Sequence, residues 1–205
     1  MLYLDDNLLI SRGTKRVCHH HPENSSLIVK TSFERNPKGE LANFKELHGY
    51  QDLIRTHIDL NNISHCFGFV TTNRGSGLVC QAIRDENGTG TIAKSIWDII
   101  VYQDSCDIEY ISSVVKGFCD YLKNNDIFLF DLNLKNILLQ VQDDSSYIPY
   151  AVDLKGRYDL NEAIPFSKYS KYFARKKLLR RSIQLLDRIH EYRSRRAELN
   201  HNNYR

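Results

Sequence analysis

The chain has 205 residues, 41% of them hydrophobic and 26% charged, and a formal net charge of +3. This composition is that of an ordinary globular protein, and the length suits one domain or two small lobes around a cleft. No apolar run approaches the ~20 residues that span a bilayer, and the amino terminus lacks secretory-signal features, so we expect a cytoplasmic protein. The five cysteines form no C-x-x-C pair, which disfavours a disulfide framework or a zinc site.

The first 84 residues predict an antiparallel sheet with one helix, because short apolar and β-branched runs alternate with turn residues. The strands are predicted near 7–12, 15–20, 26–31, 65–72 and 77–83, and the helix near 38–54. In that helix, Leu41, Phe44 and Leu47 or His48 fall at helical spacing. Residues 84–91 include two glycines and predict a connector to a second lobe.

The second lobe, about 92–198, is predicted to be mainly helical. One helix is expected near 92–102, and a stronger one at 108–124, where apolar residues recur at every third or fourth position. The residues of that face are Ile108, Ile111, Val115, Phe118 and Leu122. A strand is predicted at 137–141, and the polar tail 199–205 is expected to fray.

Two carboxylates and an amide stand beside strand-like runs in this lobe. Asp131 follows one apolar run, Asn136 comes five residues later, and Asp153 follows a second run. Transfer of a γ-phosphoryl group needs a carboxylate to orient the acceptor hydroxyl, and oxygen ligands for Mg²⁺. The pattern predicts Asp131 as the base, with Asn136 and Asp153 as metal ligands. The alternative is that Asp131 and Asn133 form turns and that Asp153 caps a following element.

Such a site also needs a lysine on a buried strand to reach the phosphates, and a glutamate on the next helix to hold that lysine. Lys30 ends the apolar run 27–29, and Glu40 opens the predicted helix. Lys30 is therefore predicted to bind the α- and β-phosphates, with Glu40 as its partner. The alternatives are a lysine that reaches solvent from a strand end and a glutamate favoured by the helix dipole.

Taken together, these features resemble the small bacterial YrbL family of PhoP regulatory network proteins, whose members resemble protein kinases. The resemblance covers about residues 7–195 and depends on a combination of motifs. They are G-T-K-R at 13–16, H-P-E-N at 21–24, the Lys30 strand, E-L-A-N-F at 40–44, F-G-F-V-T-T-N at 67–73, G-L-V at 77–79, I-R-D-E-N-G at 83–88 and D-L-N-L-K-N-I-L at 131–138.

The resemblance implies a small bilobal protein-kinase-like α+β fold, with an antiparallel sheet and one helix in the first lobe and a truncated, mainly helical second lobe. It also implies ATP and Mg²⁺ as cofactors in the cleft. Gly13 and Thr14 would lie near the phosphates, and Ile28 and Leu138 would enclose the adenine. The leading hypothesis is an ATP-dependent phosphotransferase whose acceptor the sequence does not identify.

The sequence also departs from the kinase pattern. Leu129 and Phe130 stand where kinases carry His and Arg before the catalytic Asp, the glycine-rich loop is reduced to Gly13, and no Ala-Pro-Glu follows Asp153. The length leaves no room for a full peptide-docking lobe. These departures keep open a second hypothesis, a non-catalytic pseudokinase-type module that acts through interaction with a partner.

Positive charge is concentrated near the carboxyl end. Residues 168–196 contain 11 Lys/Arg and 2 Asp/Glu, a net of +9, so the rest of the chain carries −6. Apolar residues that include Tyr172, Leu179 and Ile183 recur at helical spacing opposite the arginines. This basic helix could bind an acidic partner, anionic lipid or nucleic acid, or could simply be solvated. A nucleic-acid-binding regulator is therefore the third hypothesis.

Three consecutive histidines, His19 to His21, raise the question of a metal site. Neighbouring residues on a strand point to opposite faces, so only His19 and His21 can share a face. We therefore favour structural histidines over a metal site.

Overall fold

A computed structural model describes residues 1–56, 60–103, 106–129, 131–154 and 170–203, without the side chains of residues 35 and 195–203. Phe130 and the start of the predicted basic helix lie outside the described residues. The described chain is a mixed α+β structure with antiparallel sheets and four α-helices. The α+β class predicted from the sequence is therefore confirmed.

Five antiparallel strands form the first sheet. In chain order they are β1 (Leu9–Arg12), β2 (Arg16–His20), β3 (Leu27–Ser32), β4 (Cys66–Thr72) and β5 (Gly75–Gln81), and their spatial order is β1-β2-β3-β5-β4. The central strand is β3, so Lys30 lies between Cys18 of β2 and Leu78 of β5. Short 3-10 helices at Asp6–Leu8 and Phe33–Arg35 flank β1 and β3.

Helix α1 (Pro37–Thr56) packs against this sheet through small and polar residues. The buried residues, spaced by three or four, are Gly39, Asn43, Glu46, Gly49 and Leu53. Leu41 and Phe44, the apolar residues at helical spacing, are each 52% exposed and lie on another face. Gly39 allows close contact, since a Cβ there would lie 2.3 Å from the Lys15 carbonyl oxygen. The helix face that meets the sheet is therefore chosen by close approach and not by apolar bulk.

A second sheet of three antiparallel strands follows residues 84–91. Its strands are β6 (Lys94–Ser95), β7 (Ile137–Val141) and β8 (Tyr147–Ala151), in that spatial order. Helix α2 (Ile96–Tyr102) begins later than the predicted residue 92, because residues 94–95 pair with β7 and Ser95 caps the helix. The Ser95 hydroxyl accepts a hydrogen bond from the Asp98 amide, and the Asp98 carboxylate accepts one from the Ser95 amide.

Two longer helices share one apolar core with the second sheet. Helix α3 (Ile108–Asn124) has the predicted bounds, and four of its five predicted face residues are buried, namely Ile111, Val115, Phe118 and Leu122. Helix α4 (Lys171–Asn203) packs against α3 and α2. Its helical backbone extends into the segment that was expected to fray.

The buried face of α4 is narrower than its apolar stripe. Residues on the side covered by α2 and α3 are buried, and these include Ala174, Leu178, Leu185 and Ile189. Tyr172, Leu179 and Ile183 are each at least 50% exposed. The apolar stripe read from the sequence is therefore only partly covered, because two neighbours on one side of a helix cannot cover so wide an arc.

One apolar core unites α2, α3, α4 and the second sheet, and it also receives Leu53 of α1. Ile63 of the α1–β4 connection forms an isolated bridge with Ala151, and Asn62 Nδ2 donates to the Pro149 carbonyl oxygen at 2.8 Å. The two sheets are thus joined by packing as well as by the chain. Among the described residues, no helix is both long and apolar enough to cross a bilayer.

Candidate functional site

Four charged side chains meet where β2, β3, α1 and the end of β8 approach one another. Lys30 Nζ donates to Glu46 Oε1 at 2.6 Å, and Arg16 Nη1 donates to Glu46 Oε2 at 2.5 Å. Arg16 Nη2 donates to Asp153 Oδ1. The Glu46 side chain is only 2% exposed, so both of its oxygens are satisfied away from water. We call these four residues, with two positive and two negative charges, the charge cluster.

Glu46, and not Glu40, is the partner of Lys30. Glu40 is exposed, whereas Glu46 lies nearly two turns further along α1 on the buried face. The assignment of Glu40 from the sequence is therefore wrong, because the central strand passes the middle of the helix and not its beginning. Asn43, one turn before Glu46, accepts from Arg16 Nη1 at 3.0 Å and donates to the Lys30 carbonyl oxygen at 2.8 Å.

The sequence did contain a signal for Glu46. Gly39, Asn43, Glu46 and Gly49 recur at helical spacing, and small residues on one helix face indicate close approach to another backbone. The larger apolar residues Leu41 and Phe44, on another face, concealed this pattern. Arg16 had no comparable signal, because an arginine beside a turn more often reaches solvent.

The carboxylates of the charge cluster stabilise the ionised forms of its two cations. Burial alone would lower the pKa of Lys30, but the nearby Glu46 carboxylate outweighs burial, and that pKa lies above the ordinary value. Burial also lowers the pKa of Arg16, but the nearby Glu46 and Asp153 carboxylates raise it by more. The pKa of Arg16 therefore lies above its ordinary value as well. Both cations therefore remain charged throughout the physiological pH range.

Asp131 and Asn136 lie in a compact loop between α3 and β7. Asn136 Nδ2 donates to Asp131 Oδ2 at 3.0 Å, and Asn133 Oδ1 accepts from the Lys135 and Asn136 amides at 3.0 and 3.2 Å. Asn133 thus forms the turn that brings Asp131 and Asn136 together. Because the amide nitrogen of Asn136 binds Asp131, the amide oxygen is the atom of that side chain that could bind a cation.

The pairing of β7 with β8 brings Asp153 to the same end of the second sheet. Ile137 pairs with Ala151, and the Val152 amide donates to the Asn136 carbonyl oxygen at 2.9 Å. Asp153 has a φ of +59°, a left-handed conformation that residues other than glycine rarely adopt. Such strain persists where surrounding contacts fix it, and the ion pair with Arg16 is one such contact.

The remaining residues predicted to contact nucleotide lie on the first sheet and on β7. Gly13 and Thr14 are exposed in the β1–β2 turn, where the Gly13 amide donates to the Arg16 carbonyl oxygen at 2.8 Å. Ile28 of β3 and Leu138 of β7 are each partly buried. Contact of these residues with a nucleotide stays a prediction.

The donor set suits a hard cation together with phosphate. Asp153 and Asn136 carry oxygen donors, which Mg²⁺ prefers, and Lys30 and Arg16 carry cationic nitrogens suited to phosphate oxygens. One contact opposes this use, because Arg16 already binds Asp153. A cation at Asp153 would have to share that carboxylate with the guanidinium group or displace it.

Part of the positive charge of the basic helix is paired within the fold. Arg175 donates to Asp126 at 2.8 and 3.0 Å, and Lys171 Nζ lies 3.5 Å from the same carboxylate, so at least two cations of the helix hold α4 against the end of α3. Binding of an acidic partner or of nucleic acid to this helix stays a prediction.

Comparison with known proteins places the chain among relatives. The profile of the family described as "PhoP regulatory network protein YrbL" matches residues 2–190. Two similar curated proteins, from Escherichia coli strain K12 and from Shigella flexneri, both bear the name "Uncharacterized protein YrbL". Each is 28% identical to this chain over 176 residues, which are 84% of this chain and 80% of the relative.

Proposed function

The chain belongs to the family of PhoP regulatory network proteins named YrbL, and we propose that it is a Mg-ATP-dependent phosphotransferase with a bilobal, kinase-like architecture. In this proposal the first sheet and α1 form one lobe, residues 84–91 form the connector, and the later elements form the second lobe. The observation that carries the proposal is the charge cluster, which joins Lys30 to the strand end that bears Asp153, beside the loop of Asp131 and Asn136.

Bound Mg-ATP would supply the phosphoryl group and a metal charge beside it. Lys30, fixed by Glu46, would bind phosphate oxygens. Asn136 and Asp153 would offer oxygen ligands to the cation. Asp131 would orient the acceptor hydroxyl and accept its proton.

The pocket for the rest of the nucleotide would be shaped by four more residues. Gly13 and Thr14, in the β1–β2 turn, would lie near the phosphates, where the exposed backbone amides of a turn can donate to oxygen. Ile28 and Leu138 would enclose the adenine from the two lobes. The connector from Arg84 to Thr91 is held against the end of β7, because the Asp85 carboxylate accepts a hydrogen bond from the Val141 amide at 2.9 Å.

Direct titration of the full chain with ATP and Mg²⁺ tests binding. The parent protein should bind, and Asp153→Asn should bind about tenfold more weakly or worse, because a carboxylate ligand is lost. Asp144→Asn removes the same charge from an exposed turn between β7 and β8 and should bind like the parent. Failure of the parent to bind would contradict the proposal.

Catalysis needs a separate measurement. Asp131→Asn should lower ATP turnover by about 10²-fold or more, the usual contribution of a general base, while ATP binding is retained. Turnover can be followed as ATP hydrolysis, in which water replaces the unidentified acceptor. Equal turnover in the parent and in Asp131→Asn would remove Asp131 from the chemistry.

One observation favours a second candidate, a non-catalytic nucleotide-binding module that acts on a partner. The Arg16 guanidinium binds Asp153 and could replace the metal charge there. In that case ATP should bind the parent equally well with Mg²⁺ or with a chelator, and Arg16→Gln should make binding depend on Mg²⁺. Binding of ATP to the parent only when Mg²⁺ is present would support the phosphotransferase instead.

A further inference from the structure

A pocket lies on the face of the first sheet opposite to Lys30. Because neighbouring residues of a strand point to opposite faces, Thr31 and His19 face away from Lys30 and Cys18. The pocket has a volume of about 360 Å³, in the range of small-molecule sites. Its polar lining consists of Arg12, His19, Thr31, Ser32, Glu34 and Arg74. The charge cluster contributes no residue to it.

Two of the lining side chains are buried with their polar atoms unsatisfied. His19 is 0% exposed and Thr31 is 1% exposed. Within the described part of the chain, neither ring nitrogen of His19 forms a hydrogen bond with protein atoms, and the Thr31 hydroxyl oxygen forms none either. Buried polar groups are nearly always satisfied, because an unmet group loses its hydration without compensation. Three unmet atoms beside one pocket therefore indicate a ligand with polar atoms.

Two arginines favour a negatively charged ligand. The side chain of Arg12 is exposed, and it forms no ion pair or hydrogen bond with the residues that the structure describes. Arg74 is fixed at the rim, where Nε donates to the Leu4 carbonyl oxygen and Nη2 to Asp6, both at 2.8 Å. Glu34 is the single carboxylate among the lining residues that the structure describes, and together these residues carry a net charge of +1.

The environment of His19 keeps its imidazole neutral. Burial first, and then the positive charge of Arg74 and that of Arg12, lower the pKa of His19, while Asp6 and Asp5 act in the opposite direction. A neutral imidazole offers one N–H donor and one acceptor nitrogen. His19 can therefore donate to a ligand oxygen and accept from a ligand hydroxyl.

We propose that this pocket is a binding site for a small ligand that carries an oxyanion group, either phosphate or carboxylate. Its oxygens would accept hydrogen bonds from the Arg12 guanidinium, the His19 N–H and the Thr31 hydroxyl. A hydroxyl or protonated oxygen of the ligand would donate to the second His19 nitrogen. The site is separate from the proposed nucleotide cleft, and neither proposal depends on the other.

The test uses the isotope-labelled full chain, titrated with inorganic phosphate and, separately, with acetate while backbone amide resonances are recorded. Saturable shifts are expected for amides near Thr31, Glu34 and Arg74. Arg12→Gln should weaken binding about tenfold, because a charge-assisted hydrogen bond is lost. Arg55→Gln is the matched control, since it removes an arginine that is 75% exposed at the far end of α1.

Each outcome of the titration decides something. Phosphate binding without acetate binding would assign a phosphate-bearing ligand, and binding of both would assign the broader oxyanion class. No saturable shift near Thr31, or equal weakening in Arg12→Gln and Arg55→Gln, would overturn the proposal. Shifts confined to residues around Glu46 and Asp153, with none at Glu34 and Arg74, would report binding in the cleft and would also count against this pocket.

Thr31→Val gives an independent test with two readouts of opposite sign. Valine has nearly the shape of threonine and removes a hydroxyl that is buried without a partner. The unliganded variant should therefore melt about 2 to 4 °C higher than the parent, although it should bind the oxyanion more weakly. A lower melting temperature would mean that ordered water already satisfies the hydroxyl, and the proposal would fail.

Discussion

Glu46 neutralises two cations at once, and its burial makes the charge cluster sensitive to its loss. Lys30 and Arg16 approach different oxygens of the same carboxylate, so one residue holds β2 and β3 to α1. Removal of one partner from a buried ion pair leaves uncompensated charge in a place that water does not reach. The charge cluster therefore contributes to the stability of the fold through the same residues that the proposed function would use.

Glu46→Gln should therefore destabilise the fold by about 3 kcal/mol or more, although glutamine has the size and shape of glutamate. Glu40→Gln is the matched control on the same helix, and its effect should stay within about 0.5 kcal/mol because Glu40 is exposed. The free energy of unfolding of both variants can be measured by denaturant titration. Equal effects of the two substitutions would restore Glu40 as a candidate partner of Lys30.

Asp126 gives the contact between α3 and α4 a dependence on pH. Hydrogen bonds from Arg175, together with its charge, lower the pKa of Asp126 in the folded state. A carboxyl with a depressed folded pKa adds stability above its unfolded pKa of about 3.9, and this stability is lost as the pH falls through the folded value. The pair is partly exposed, so the effect is modest.

Asp126→Asn should accordingly be less stable than the parent at pH 7, and this difference should shrink as the pH falls below about 3.9. Thermal unfolding across the pH range measures the difference. Asp120→Asn, at an exposed position of α3, is the control and should show little difference from the parent. A constant difference between the parent and Asp126→Asn down to the lowest pH would contradict the assignment.

At the scale of elements, the close packing of α1 against the first sheet depends on Gly39. A Cβ on Gly39 would lie 2.3 Å from the Lys15 carbonyl oxygen and 2.6 Å from Ser32 Oγ. The Phe33 amide also donates to the Lys15 carbonyl at 2.9 Å, so the β1–β2 turn is held against the start of α1. Close approach at Gly39 is therefore what lets α1 present Glu46 to the central strand.

Gly39→Ala should destabilise by about 1 to 3 kcal/mol, because the backbone of the β1–β2 turn must move. Gly117→Ala on α3 is the contrasting variant, since a Cβ there meets nothing within 4 Å. It should stabilise by about 0.5 to 1 kcal/mol through helix propensity alone. Denaturant titration compares the two, and stabilisation by Gly39→Ala would show that the turn moves without cost.

At the scale of the whole molecule, the two sheets share one apolar core through α1. Leu53, on the buried face of α1, packs in the apolar core that the second sheet shares with the other helices. Ile63 forms a bridge with Ala151 of β8. Arg16 of β2 adds an ion pair with Asp153, two residues beyond the end of β8. The described parts of the chain should therefore unfold together.

Leu53→Ala tests this coupling. The substitution should cost about 2 to 5 kcal/mol and should leave a single transition by far-UV circular dichroism and by the fluorescence of Trp97, the one tryptophan of the chain. Ile54→Ala, the next residue of α1 and 48% exposed, should have a much smaller effect. Separate transitions with the two probes would show that the first sheet and the second unfold independently.

The sequence alone determined most of the helices and strands, although it assigned residues 94–95, which form strand β6, to a helix. The five strands of the first sheet, the bounds of α3 and the strand at 137–141 follow from local periodicity, because the backbone geometry of each element fixes the spacing of its buried residues. The spacing of Asp131 and Asn136 also anticipated a loop that joins them. These features depend on residues that are close together in the chain, so short stretches of sequence are enough to predict them.

Only the tertiary structure decided which faces meet. It paired Lys30 with Glu46 instead of Glu40, brought Arg16 to Asp153, left half of the apolar stripe of α4 uncovered, and buried His19 and Thr31 beside a pocket. The physical reason is that a contact between distant segments depends on the depth and angle at which whole elements pack. Small residues such as Gly39 set that depth, and their effect cannot be read from the periodicity of a single helix.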